Sequence, residues 1–179
     1  AARAWWLLRG AGVSDIRVLD GGLSAWRATG LPLETGDVSP EPGSILFDGV
    51  EEGISIDEAA AWPQRGVLLD ARAPERYRGE SEPFDPVAGH IPGAVNLPAD
   101  AVLDGASFAP PATIRAAFES VGVSDLTSVA AYCGSGLTAA HTALAGAAAG
   151  LDVAVYPGSW SQWSNTAGRP VATGAEPGA

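Results

Sequence analysis

Residues 131–141 read "AYCGSGLTAAH" and hold Cys133, the single cysteine of the 179-residue chain. A thiol is a strong nucleophile only as its thiolate, so it needs hydrogen-bond donors and positive potential beside the sulfur. The residues after Cys133 can supply both. Gly134 and Gly136 permit backbone angles closed to other residues, which lets peptide N–H groups of residues 134–138 turn toward the sulfur. Thr138 is suited to cap the helix expected over 138–150, "TAAHTALAGAAAG", and a helix N-terminus adds partial positive charge. The bland role for a lone cysteine is that of a small buried apolar residue. Strand, cysteine, glycine-spaced turn and helix in succession favour a reactive thiol instead.

A reactive thiol needs a substrate, and "DARAPERYRGE" places Arg72, Arg76 and Arg78 just after an expected strand. An anionic substrate calls for the planar donor fork of arginine. Arg72 follows Asp70 at the strand end and is expected to hold the adjoining loop. For Arg76 the bland reading is a surface pairing with Glu75 or Glu80. His90 fits loop hydrogen bonding and His141 fits helix packing; two isolated histidines make no metal site. Trp160 and Trp163 are expected in the core, with residues 158–160 close enough to border a pocket.

The ten basic residues are all arginine, which excludes a Schiff-base lysine and a lysine-bearing phosphate loop from this chain. A formal charge of -11 argues against nucleic acid and anionic membranes as partners. One cysteine excludes an internal disulfide framework and fits a reducing compartment, so a cytoplasmic location is expected. No apolar run approaches the roughly 20 residues that span a bilayer.

The elements that must position these residues alternate. Strands are expected at 44–48, 66–72, 94–98, 128–133 and 152–158, and helices at 55–62, 111–122 and 138–150. Such alternation implies an α/β domain with a mainly parallel central sheet flanked by helices, whose ligands bind at the carboxyl ends of strands. "DIRVLDGGLSAW" from Asp15 also aligns without a gap with "DVAVYPGSWSQW" from Asp152. Both read as strand, turn and helix. A tandem duplication is therefore expected, with residues 1–36 the remnant of a first copy, 37–43 a linker and 44–179 the second copy.

"CGSGLTA", "YPGSWSQW" and "GHIPGAVNLP" (89–98) together resemble the catalytic half of the two-domain rhodanese-type sulfurtransferases. The resemblance implies a rhodanese-like fold, an N-terminal domain half missing from this chain, and no cofactor. It implies that Cys133 accepts a sulfane sulfur as a persulfide and passes it to cyanide or a thiol, such as that of a thioredoxin-like protein. The persulfide would be held by the loop Gly134, Ser135, Gly136, Leu137 and Thr138, and Arg76 would bind the anionic end of the donor. A loop reading Cys-Gly-Ser-Gly is similar to that of the 3-mercaptopyruvate enzymes, thiosulfate-preferring relatives often carrying basic residues there. A second substrate arginine of those enzymes would fall where Phe84 and Asp85 stand, which is a departure. Two other readings share the loop. A cysteine phosphatase needs an arginine six places after the cysteine, where Ala139 stands. A non-catalytic binding or regulatory module would not need the thiol.

Overall fold

A sheet buried on both faces needs apolar residues on both, and the strands of this chain supply them. The computed structural model describes residues 1–44, 46, 49, 50 and 53–178. Two helices, α1 (Ala2–Gly10) and α2 (Gly22–Ala28), precede an exposed stretch over 29–44 that carries no helix or strand. Then come α3 (Ile56–Ala61), β1 (Gly66–Asp70), α4 (Pro74–Tyr77), β2 (Val95–Asn96), and a hairpin of β3 (Leu103–Asp104) and β4 (Ser107–Phe108). The chain continues with α5 (Pro111–Glu119), β5 (Ser128–Tyr132), α6 (Leu137–Ala148), β6 (Val153–Val155) and α7 (Ser159–Asn165).

The main sheet runs β2-β1-β5-β6 with every pair parallel, as the alternation of elements predicts. Most of the strand expected at 44–48 lies outside the described residues. Ile54 N–H donates to Val155 O at 2.9 Å, so the chain entering α3 runs along the outer edge of β6.

Side chains alternate across the sheet with the period of two that strands impose. Leu68, Ala130 and Tyr132 face one side, where Ala59 of α3, Trp62 at its end, and Trp160 and Trp163 of α7 cover them. Leu69, Val129, Ala131 and Val153 face the other, under Ile114 and Phe118 of α5 and Ala139 and Ala143 of α6. Each fully buried Leu or Phe contributes about 1.5–3 kcal/mol relative to exposure. Gly146 lets α6 approach closely, since a Cβ there would lie 2.7 Å from Val153 Cγ2. The helix α3 starts on a capping box: Ser55 N–H donates to Glu58 Oε2 at 2.7 Å and Ser55 Oγ accepts from Glu58 N–H at 3.3 Å. Donation from Ser55 N–H, and from its hydroxyl, to the Glu58 carboxylate holds that carboxyl below the usual range.

The N-terminal segment packs on this core. Trp5 and Trp6 of α1 rest against it, Arg9 pairs with Asp152 at 3.2 Å, and Asp20 Oδ1 accepts from Phe108 N–H at 2.9 Å. The strand expected after Asp15 does not form, because residues 13–19 have no ladder partner among the described residues.

Candidate active site

Cys133 directly follows β5, a central strand, so the sulfur sits at the carboxyl end of the parallel sheet. Its residue is 2% exposed. Gly136 N–H donates to Sγ at 3.1 Å, closing the loop on the thiol. Gly136 has φ +77, and a Cβ there would run into Pro157 O. Only glycine satisfies both conditions. Gly134 differs from expectation: it is not in the left-handed region, and Arg76 lies against it, with Nη1 3.4 Å from a Cβ built there. Thr138 does not cap α6. The helix begins at Leu137 behind Gly136 as N-cap, with no side-chain cap, because the left-handed glycine already turns the chain.

The start of α7 anchors the outer wall of the loop. Trp160 N–H donates to Cys133 O and Ser161 N–H to Gly134 O, both at 2.9 Å. With these carbonyls tied outward, the loop is held in one conformation around the sulfur. Ser159 completes the tie. Its Oγ accepts from Cys133 N–H at 3.1 Å, donates to Tyr156 O at 2.9 Å and lies 4.0 Å from Sγ. Ser159 is fully buried with φ 53, unusual for a non-glycine residue and found where surrounding contacts enforce it. Sequence reasoning marked residues 158–160 as bordering the pocket but gave Ser159 no role; no pattern in the sequence announces a serine at positive φ. Ser135 and Leu137 are exposed and Thr138 is half-buried, and among the described residues no hydroxyl of Ser135 or Thr138 is hydrogen-bonded to Sγ.

The arginines divide their work. Arg72 is buried, forks onto Asp70 through Nη2 and Nε at 2.6 Å and 3.0 Å, reaches Glu82 at 3.1 Å and donates to Gly89 O at 2.6 Å. Its guanidinium also stacks over Trp160 at 4.5 Å. Burial works against its charge, but the Asp70 carboxylate outweighs burial and raises Arg72 above the ordinary arginine value. The loop-holding role expected for Arg72 is what these contacts describe. Arg78 pairs with Glu80 at 2.7 Å, away from the thiol loop.

Arg76 pairs with neither Glu75 nor Glu80. Its Nη2 and Nε meet Glu82 at 2.6 Å and 3.3 Å, Asp85 Oδ2 lies 3.7 Å from Nη2, and Phe84 lies under the guanidinium at 5.3 Å. Nη1 and Nη2 both lie toward Gly134, at 3.4 Å and 3.6 Å from a Cβ built on it. Phe84 and Asp85, which stand where the resemblance would place a second arginine, thus both engage the first. Formally, three carboxylates (Asp70, Glu82, Asp85) surround two guanidiniums here.

The histidines are structural. His90 is fully buried, its ring between Tyr77 O and Pro177 O at 2.8 Å and 3.2 Å and stacked on Tyr77 at 3.8 Å. His141 stacks on Phe108 at 4.8 Å, and burial lowers its pKa. No group of residues that could hold a metal ion occurs among the described residues. Among the described residues no helix is long and apolar enough to cross a membrane.

A parallel α/β sheet with a glycine loop wrapped around one thiol at its carboxyl end defines a narrow class of proteins. Residues 55–166 match the rhodanese-like domain, and the chain belongs to that family. It is 46% identical over 179 residues to SseB of Mycobacterium tuberculosis, whose name places it among the thiosulfate sulfurtransferases; the match covers 97% of this chain and 63% of that protein. A Pseudomonas aeruginosa protein named "Probable 3-mercaptopyruvate sulfurtransferase" is 45% identical, with 97% and 64% covered. The crystal structure of SseA from Escherichia coli, a 3-mercaptopyruvate sulfotransferase, superposes with a TM-score of 0.76 at 32% identity over 89% of this chain and 62% of that one. The chain therefore spans a little under two thirds of the length of these relatives.

Proposed function

We propose that this chain carries the catalytic thiol of a sulfurtransferase that takes a sulfane sulfur from 3-mercaptopyruvate and passes it to a thiol or cyanide. The observation that carries this reading is the Gly136 N–H on Cys133 Sγ at 3.1 Å, at the carboxyl end of a central parallel strand. Family membership and relatives named as sulfurtransferases support it. The duplication belongs to the same proposal, with residues 1–36 ending one copy, 37–43 linking and 44–179 forming the next.

In the first half-reaction the Cys133 thiolate attacks the sulfur of 3-mercaptopyruvate. A sulfur–sulfur bond forms, the carbon–sulfur bond breaks, and its electron pair leaves as pyruvate enolate, which is protonated to pyruvate. The loop Gly134, Ser135, Gly136, Leu137 and Thr138 surrounds the resulting Cys133 persulfide, with N–H groups and the two hydroxyls as its donors. Arg76 Nη1 takes the donor's carboxylate by a single contact; the bidentate grip that arginine usually offers is occupied by Glu82. In the second half-reaction the acceptor attacks the outer sulfur, the sulfur–sulfur bond breaks, and Cys133 returns as thiolate. A cytoplasmic location and a thioredoxin-like acceptor are part of the same reading.

The donor follows from the loop. Positions 134–137 are Gly, Ser, Gly and Leu, so the loop side chains offer no fixed charge to the thiosulfate dianion. Mercaptopyruvate carries one carboxylate, and its departing enolate can be met by neutral donors. Thiosulfate is the alternative, favoured by the identity to SseB. Mass spectrometry of the chain after separate incubation with each donor decides between them. Addition of one sulfur atom to Cys133 with both, and a kcat/KM at least tenfold higher for mercaptopyruvate, about 1.4 kcal/mol, is expected. Equal or better use of thiosulfate would reverse the donor assignment, and no sulfur on Cys133 with either would leave a non-catalytic module.

A further inference from the structure

One cation next to the thiol loop comes from outside the matched domain. Arg3 lies on α1, and its Nη1 would be 3.1 Å from a Cβ built on Gly136, the residue whose N–H touches the sulfur. Arg3 and Arg76 therefore both border the loop, one against Gly136 and one against Gly134. The Arg3 guanidinium is steadied over Trp6 at 5.5 Å, and Trp6 rests on the core. Six residues further along α1, Arg9 pairs with Asp152. Among the described residues no carboxylate lies within ion-pair distance of Arg3.

Space for a ligand exists beside it. A cavity of about 370 Å³ borders Arg3, Leu137 and His141, and the one carboxylate on it, Asp20, is turned to Gly21 N–H and Phe108 N–H at 3.0 Å and 2.9 Å. Arg76, in contrast, has most of its fork on Glu82 and faces Asp85 as well. Among the described residues, a loop meant to receive an anion thus has its unpaired positive charge on the α1 side.

We propose that Arg3 is a substrate-binding residue of the Cys133 loop: it receives the carboxylate of an anionic donor or product and supplies the second cation missing at positions 84 and 85. The proposal deepens the sulfurtransferase reading and rests on it for the identity of the anion. Arg3 couples α1 to the reactive loop, so the N-terminal segment contributes to the site rather than only packing beside it.

The test measures how pyruvate slows iodoacetamide modification of Cys133 in the full chain, in Arg3→Gln and in Arg3→Lys, beside the KM and kcat for 3-mercaptopyruvate. Pyruvate should protect the parent, with the protecting concentration raised at least tenfold in Arg3→Gln and partly restored in Arg3→Lys. The KM for the donor should rise in parallel while kcat and the KM for a neutral acceptor, 2-mercaptoethanol, hold. Equal protection in parent and Arg3→Gln, or none in the parent, overturns the proposal. Protection that depends on Arg3 in a chain that moves no sulfur would sustain the anion site and sink the sulfurtransferase reading.

Discussion

Glu82 Oε1 lies 2.6 Å from Arg76 Nη2, inside a cluster where the same carboxylate also meets Arg72 at 3.1 Å. The arginine beside Gly134 of the thiol loop is therefore a shared member of a buried ion network, with much of its fork already engaged. Removing Glu82 would leave two guanidiniums short of a partner. Loss of one partner from a buried pair costs about 3–5 kcal/mol, so this network sets the position of Arg76 at the expense of its grip on substrate.

The charge around Arg76 yields the first prediction. Arg76→Ala should raise the donor KM by about 1.5–3 kcal/mol of lost charge-assisted contact. Asp85→Asn, which removes a carboxylate competing for the same guanidinium, should lower it. Steady-state kinetics of both variants check this, and an unmoved KM in each would make Arg76 purely structural.

Cys133→Ser should abolish sulfur loading while leaving the fold in place. The loop is held by Gly136, by Ser159 and by the α7 amides on the Cys133 and Gly134 carbonyls; Gly136 N–H and, at 4.0 Å, the Ser159 hydroxyl reach the sulfur, while the remaining ties go to backbone atoms. Intact-mass measurement after donor treatment and a thermal melt test the two halves separately. Any sulfur retained by the serine variant would place the chemistry elsewhere.

Ser159 accepts the buried N–H of Cys133. In Ser159→Ala that donor loses its partner, at a cost of about 1–3 kcal/mol. Denaturant unfolding should show a lower midpoint with unchanged slope. A midpoint equal to the parent's would mean that the loop does not depend on this hydroxyl.

Burial lowers the pKa of His141, and among the described residues its Nδ1 has no hydrogen-bond partner. In the unfolded chain the ring takes a proton near pH 6.5. Between the two values the unfolded state binds more protons, so the His141 contribution is fully present above about pH 7 and is lost as the pH falls. His141→Leu should flatten that part of the stability profile relative to the parent. Identical slopes in both proteins between about pH 7 and pH 5 would remove His141 as the cause.

Much of this protein was legible in its residues. Strands β1, β5 and β6 are short apolar runs ended by Gly, Asp or Cys, and α5 and α6 follow helical periodicity, because burial on both sheet faces leaves a pattern that composition alone carries. Cys133 was marked by its glycines for the same local reason. The hairpin of β3 and β4 and the single turn of α4 were not legible, since elements of two to four residues leave no periodicity to read.

Only the tertiary structure decided which partners each charge meets. Arg76 has Glu75 and Glu80 close in sequence, yet it binds Glu82 and faces Asp85, because the loop over 79–89 folds these carboxylates inward while Glu80 follows Arg78. Ser159 reaches Cys133 across 26 residues, and Arg3 reaches Gly136 from the first helix of the chain. Local sequence fixes backbone preference and burial. Contacts between distant segments depend on how the helices pack on the sheet, and a charge or hydroxyl carries no local mark of the partner it will find there.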